Sequence, residues 1–135
     1  MKNVTLALAA SVLACETAIA HHSFAPMDLT RTVTLDGVIK EFQWTNPHTW
    51  IEIDVVNEDG EVEHWSIEAN SPNQLTRQGW RSTDLAPGDH VVLVINPLRS
   101  GDPGGLYRQI TLGDGEVRDA LYGQTGDDTS QQTAE

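Results

Sequence analysis

The chain has 135 residues, with 8 Lys and Arg against 20 Asp and Glu, a formal net charge of −12 and a pI of about 4.6. That length holds one domain, and that charge repels polyanions, so neither nucleic acid nor an anionic membrane surface is an expected partner. A single cysteine excludes an intramolecular disulfide framework and a Cys-based zinc knuckle.

The N-terminus reads as an address. Met1-Lys2-Asn3 is a short positive region, Val4 to Ala14 is apolar apart from Thr5 and Ser11, and Ala18-Ile19-Ala20 fits a small-x-small cleavage site. The apolar run is too short to span a bilayer as a stable helix. Residues 1–20 are therefore expected to be a secretory signal peptide, with His21 opening a periplasmic protein. A rival pattern, Val12-Leu13-Ala14-Cys15, resembles a lipobox and would make Cys15 a lipidated N-terminus. Without residues 1–20 the chain has no thiol, which suits an oxidising compartment.

Residues 21–31 are an irregular leader and residues 32–115 the folded domain. Thr32 to Trp44 is rich in β-branched and aromatic residues and reads as a long strand, bent or bulged at Gly37. Thr45-Asn46-Pro47 signals a turn. His48 to Asn57 alternates, with Ile51, Ile53 and Val55 on one face and Glu52 and Asp54 on the other. Asp59-Gly60 marks a hairpin. Its partner strand, Val62 to Ala69, puts Trp65, Ile67 and Ala69 inward and His64, Ser66 and Glu68 outward. Ser71 as N-cap, Pro72 as the first helical residue and Gly79 as the stop predict a short helix over Asn73 to Gln78. Val91 to Ile95 is continuously apolar, as for a strand buried on both faces. Leu106 to Leu112 is the last expected strand, and residues 116–135 read as a polar, disordered tail.

Five strands with a helix between the third and fourth predict an all-β, OB-fold-like five-stranded barrel, with an open β-sandwich as the alternative. His21-His22-Ser23-Phe24-Ala25, Gly37-Val38, the run Trp44-Thr45-Asn46-Pro47-His48, Trp65, Gly79-Trp80 and Gly88-Asp89 occur together. In this the chain resembles a family of small secreted bacterial proteins of unknown function. The resemblance implies a secreted single domain and carries no activity with it.

The histidines are the one chemical constellation. His21, His22, His48, His64 and His90 all lie beyond residue 20, and imidazole is the commonest protein ligand for copper, zinc and nickel. An N-terminal His21 could chelate one metal through its α-amine and its own ring, and a third nitrogen would complete a copper-favouring, brace-like site. Candidates are His22, His64 and His48. The bland readings stand beside this one: His48 as a turn histidine bonded to backbone, His64 and His90 as solvated strand residues, His21-His22 as a polar end. Strand order suggests two groups, His21, His22 and His64 at the leader's end of the barrel, and His48 with His90 at the other.

Other chemistries fare worse. Asp54 to Gly60 lacks the alternating oxygen ligands of a calcium loop. There is no Gly-x-Ser-x-Gly, and Gly101 to Gly105 does not join a strand to a helix as a phosphate loop does. The face that OB-folds use for ligands would offer Trp44, Trp50, Trp65 and possibly Trp80, with Trp44 and Trp50 the candidate ligand-binding residues; the bland reading is that two or more of the four are core, since Trp65 alternates with Ile67 and Ala69. The sequence thus reads as a periplasmic, non-enzymatic binding module for a small ligand or periplasmic protein, with a copper-binding protein as the alternative. An enzyme is the remaining class and would be metal-dependent.

Overall fold

The computed structural model describes residues 24–121. The expected signal peptide, the rival lipobox reading and the His21-His22 pair lie outside these residues.

Strand β1 (Val33–Gln43) is the spine of the fold. Leu35, Gly37 and Ile39 face the interior, while Thr34, Asp36 and Val38 face out, the period-two alternation of a strand with one wet face. β2 (Trp50–Val56) pairs with the second half of β1, from Gly37↔Val55 to Gln43↔Trp50. β4 (His90–Pro97) pairs with the first half, from Val33↔Ile95 to Val38↔His90. The two pairings overlap only at Gly37 and Val38. There a Cβ on Gly37 would lie 2.4 Å from the Asp54 carbonyl oxygen and 3.0 Å from Ile53 Cγ1. Glycine permits this close approach, and the register shift between Ile39 and Glu41 completes the bend. The irregularity expected at Gly37 lies further on, between Ile39 and Glu41; Gly37 is where β1 passes from pairing with β4 to pairing with β2.

β3 (Val62–Glu68) follows β2 through a hairpin. The Asn57 side-chain oxygen accepts from the N–H groups of Asp59 and Glu61 at 3.0 and 2.9 Å. β5 (Gly104–Thr111) runs antiparallel to β4 and parallel to β3, from Ser66↔Gly104 to Glu68↔Leu106. That last pairing closes the five-stranded barrel expected from the sequence. Helix α1 (Pro72–Arg77) lies between β3 and β4, with the Ser71–Gln74 capping box in place and Leu75 plugged into the core.

Two boundaries and one burial pattern differ from expectation. Residues 117–119 form a sixth strand, β6 (Val117–Asp119), paired with β5, so the tail expected from residue 116 begins with structure; residues 122–135 lie outside the description. The final barrel strand starts at Gly104, because Gly105 lets β5 press against β4: a Cβ there would sit 2.4 Å from the Asn96 carbonyl oxygen. And β4 is not buried on both faces. Val91, Leu93 and Ile95 are buried, but Val92 and Val94 are half-buried on the outside.

The interior is aliphatic, with Ile53, Ile67, Leu93, Ile95 and Ile110 fully buried. One end is sealed by aromatics. Phe42 meets Trp44 at 5.5 Å and Trp80 at 5.9 Å, Trp80 meets Tyr107 edge-on at 6.0 Å, and the Arg118 guanidinium lies 4.7 Å over Trp80. The leader packs on the β4–β5 loop, where Met27 bridges Leu98 and Asp28 N–H donates to the Pro97 carbonyl at 2.8 Å.

Tyr107 gives a testable consequence. Its hydroxyl donates to the Arg118 carbonyl at 2.7 Å. Burial pushes the phenol well above its ordinary 10, Asp119 adds to the rise, and Arg118 opposes it. A raised folded pKa contributes stability that is fully present below the unfolded value and is lost as pH climbs past it. Above pH ~10 the wild type is therefore expected to lose up to about 1.4 kcal/mol per pH unit through this group. Tyr107→Phe should cost about 1 kcal/mol at pH 7 but show a flatter fall from pH 10 to 11.5. Urea melts across that range test it, and parallel curves would reject it.

Candidate binding face on the outside of strands one to three

On the outside of β1, β2 and β3 the register stacks side chains in rows. Gln43, Trp50 and Glu68 form one row, Glu41, Glu52 and Ser66 the next, and Val38, Asp54 and His64 a third. Val56 and Val62 pair in a fourth. His90, opposite Val38 on β4, extends the third row to four residues.

The polar groups of this face hold one another in place. His64 Nδ1 lies 2.9 Å from Asp54 Oδ1 and its Nε2 2.9 Å from Glu52 Oε2. Each ring nitrogen thus faces a carboxylate oxygen on β2. Ser66 Oγ donates to the other Glu52 oxygen at 2.8 Å. Glu52 is thus fixed from two sides, with a side chain 12% exposed, while His64 is 44% exposed. At the adjoining end, His48 Nδ1 lies 2.7 Å from Glu68 Oε1 and 3.2 Å from the Ala69 carbonyl. His90 Nε2 lies 2.7 Å from Asp36 Oδ1.

The expected histidine groups do not form as drawn. His90 is level with Val38 and shares the row of His64, whereas His48 sits at the far end of β2 beside Glu68. The reason is the division of β1: the start of β4 meets its middle, not its end. Each of His48, His64 and His90 is matched to a carboxylate. Among the described residues no group of three or more His, Cys, Asp or Glu is placed to hold a metal ion. Trp50 is half-buried on the outer face, opposite Glu68. Trp44 is half-buried too, but packs edge-on against Phe42 at the sealed end of the core. Trp65 packs against the core and donates its indole N–H to Glu63 at 3.3 Å.

The carboxylates that fix the histidines were missed in the sequence. The signal was the hairpin register. The register sets His64 opposite Asp54, one pair along on the same face from Glu52 and Ser66.

A cleft of about 260 Å³ elsewhere on the barrel is lined by Asp84, Leu85, Asp89, His90, Val91, Leu112, Gly113 and Asp114. Its acids have structural work. Asp89 accepts from Ala86 N–H at 2.8 Å, Asp114 from Glu116 N–H at 2.9 Å, and Asp84 pairs with Arg118.

Among the described residues no helix is long and apolar enough to cross a membrane. A family model described as "Family of unknown function (DUF6152)" matches residues 9–109. No curated protein matches the chain. Among solved structures, two crystal structures of mitochondrial single-stranded DNA binding proteins from S. cerevisiae (Rim1) are similar to it. One is 15% identical with a TM-score of 0.47, covering 62% of this chain and 93% of that one. The other is 12% identical with a TM-score of 0.41, covering 67% and 97%.

Proposed function

Since the chain belongs to the family of unknown function DUF6152, we propose its role from its own geometry: an exported, periplasmic, non-enzymatic binding module whose ligand lies on the outer face of β1, β2 and β3. Export rests on the pattern of residues 1–20. The binding reading rests on one observation. His64, Glu52, Asp54 and Ser66 form a hydrogen-bonded lattice on a solvent-facing sheet, two residues along from the exposed side of Trp50. Such a lattice presents fixed charges and an aromatic surface from rigid strands, which favours recognition without reorganisation.

Copper is the second reading, and the leader's position favours it. Arg99 N–H donates to the Pro26 carbonyl, and in the same loop the Pro103 carbonyl accepts from Ser66 N–H. The chain therefore enters beside β3, the strand that carries His64. His21 with His22, His64 or His48 would supply the nitrogens.

Tryptophan fluorescence separates these readings. Chitotriose, a lysine-rich peptide and Cu(II) are titrated into protein beginning at His21 and into its Trp50→Phe variant. At least one probe should quench the wild type and leave the variant largely unquenched, with affinity down about tenfold, the loss of one aromatic anchor. Equal quenching of both proteins by every probe would overturn the face. Tight Cu(II) binding that vanishes when one residue is added before His21 would establish the copper reading, and equal Cu(II) affinity of both forms would end it.

A further inference from the structure

The binding face carries an apolar feature that its polar lattice does not explain. Val38, Val56 and Val62 are 41%, 65% and 66% exposed. Val56 and Val62 are direct cross-strand partners, and Val38 lies opposite Asp54, two residues before Val56 on the same face. Three β-branched side chains thus stand together on the wet side of a sheet. The β1–β2 register carried one residue further sets Asp36 level with Val56. Around the valines stand Asp36, Glu41, Glu52, Asp54 and, further along, Glu68. Five of the six carboxylates on the three strands lie on this face, all but Glu63, against one Lys or Arg in these strands, Lys40 at the bulge. His64 stands between two of these acids and His90 beside Asp36.

We propose that this face binds an extended, lysine- or arginine-rich segment of a partner protein, a claim that deepens the binding-module reading and rests on it. The chemistry of such side chains matches the pattern. Each has an aliphatic stem that gains from lying on apolar surface and a cationic head that seeks a carboxylate. Here valines and carboxylates alternate at cross-strand and two-residue spacings, so one stem can cover Val56 and Val62 while its head reaches Asp54 or Asp36. The carboxylates are held by hydrogen bonds and present their charge without ordering cost. A guanidinium or ammonium arriving at Glu52 or Asp54 competes with the His64 ring for the same oxygens. Anionic partners meet repulsion from the face and from the whole chain.

The test is calorimetry with three probes: a nine-residue acetylated lysine-rich peptide, its glutamate counterpart and chitotriose. The lysine peptide should bind, the glutamate peptide should not, and tripling the salt from 50 to 150 mM should weaken binding several-fold. Glu52→Gln with Asp54→Asn should weaken it at least tenfold, and so should Val56→Ser with Val62→Ser. Asp36→Asn, at an exposed site paired with His90 and apart from Glu52 and Asp54, should weaken it about threefold, and Asp28→Asn in the leader less than twofold. Melting curves check that each variant is folded; if the lattice pair fails to fold, Asp36→Asn and the valine pair carry the test. Wild-type affinity in both of those, or equal binding of the glutamate peptide, would overturn the proposal. Should chitotriose alone bind in a Trp50-dependent way, the cationic class falls while the binding face stands. Should neither bind there, both fall.

Discussion

Replacing Gly37 with alanine is expected to cost at least about 3 kcal/mol, the upper range for forcing an atom into a packed core. The added Cβ would lie 2.4 Å from the Asp54 carbonyl oxygen, well inside van der Waals contact. Neither side can yield, because Gly37 is paired on one edge with Val55 and on the other with Val91. The obstruction is backbone, so no rotamer change relieves it. For a domain of this size the midpoint should fall by roughly 15 °C. Gly60→Ala supplies the control. Gly60 has φ +80° but nothing within 4 Å of its would-be Cβ, so only left-handed strain remains, about 1 kcal/mol. Thermal and urea unfolding followed by circular dichroism should separate the two clearly. Equal losses would mean that β1 is not pinned between β2 and β4 at Gly37.

Arg118→Ala is the second large effect, expected at about 3 kcal/mol. The guanidinium bridges Asp84 and Glu116 and stacks on Trp80, joining β6 to the aromatic end of the barrel. Asp84 and Arg118 side chains are only 16% and 20% exposed, so truncation strands a poorly solvated carboxylate. Breaking a fully buried pair costs about 3–5 kcal/mol, and this pair, still touching water, falls at the low end once the lost stacking is included. Burial alone would raise the Asp84 pKa. Hydrogen bonds from the Arg118 side chain and the Arg81 N–H, with the charges of both arginines, outweigh it and hold the carboxyl below 3.8. A depressed folded pKa contributes stability above the unfolded value and loses it as pH falls through the folded one. The deficit of Arg118→Ala should therefore shrink below pH ~4, and Asp84→Asn should recover part of it at pH 7. A deficit independent of pH and of residue 84 would assign the effect to packing on Trp80 alone.

Much of the fold was legible because it was written locally. Ser71, Pro72, Gln74 and Gly79 specify α1 with a cap, a first-turn proline, a reciprocal bond and a positive-φ stop. The alternation of Ile51, Ile53 and Val55 fixes the inner face of β2, and by parity places Trp50, Glu52 and Asp54 outside. The features that escaped depend on distant partners. β6 has three residues and no pattern of its own; it exists because β5 offers an edge and Arg118 reaches Asp84. The hairpin register turned on the Asn57 side chain, which closes a loop wider than the Asp59-Gly60 pair suggests. Trp44 lies past the end of β1, where parity no longer speaks, and its stacking on Phe42 is set by the barrel's sealed end. The histidines were visible as a group, but their partners were not. Asp36 meets His90 and Glu68 meets His48 only after the strands are laid side by side.

The proposed working surface of the protein is the outside of β1, β2 and β3. Its most direct test is an amide chemical-shift map of the ¹⁵N-labelled protein during titration with the lysine-rich peptide. The expected shifts gather at Val38 to Glu41, Trp50 to Val56 and Val62 to Ser66, and leave the cleft between Asp84 and Asp114 still. Shifts gathered in that cleft, or spread evenly over all exposed acids, would contradict the account.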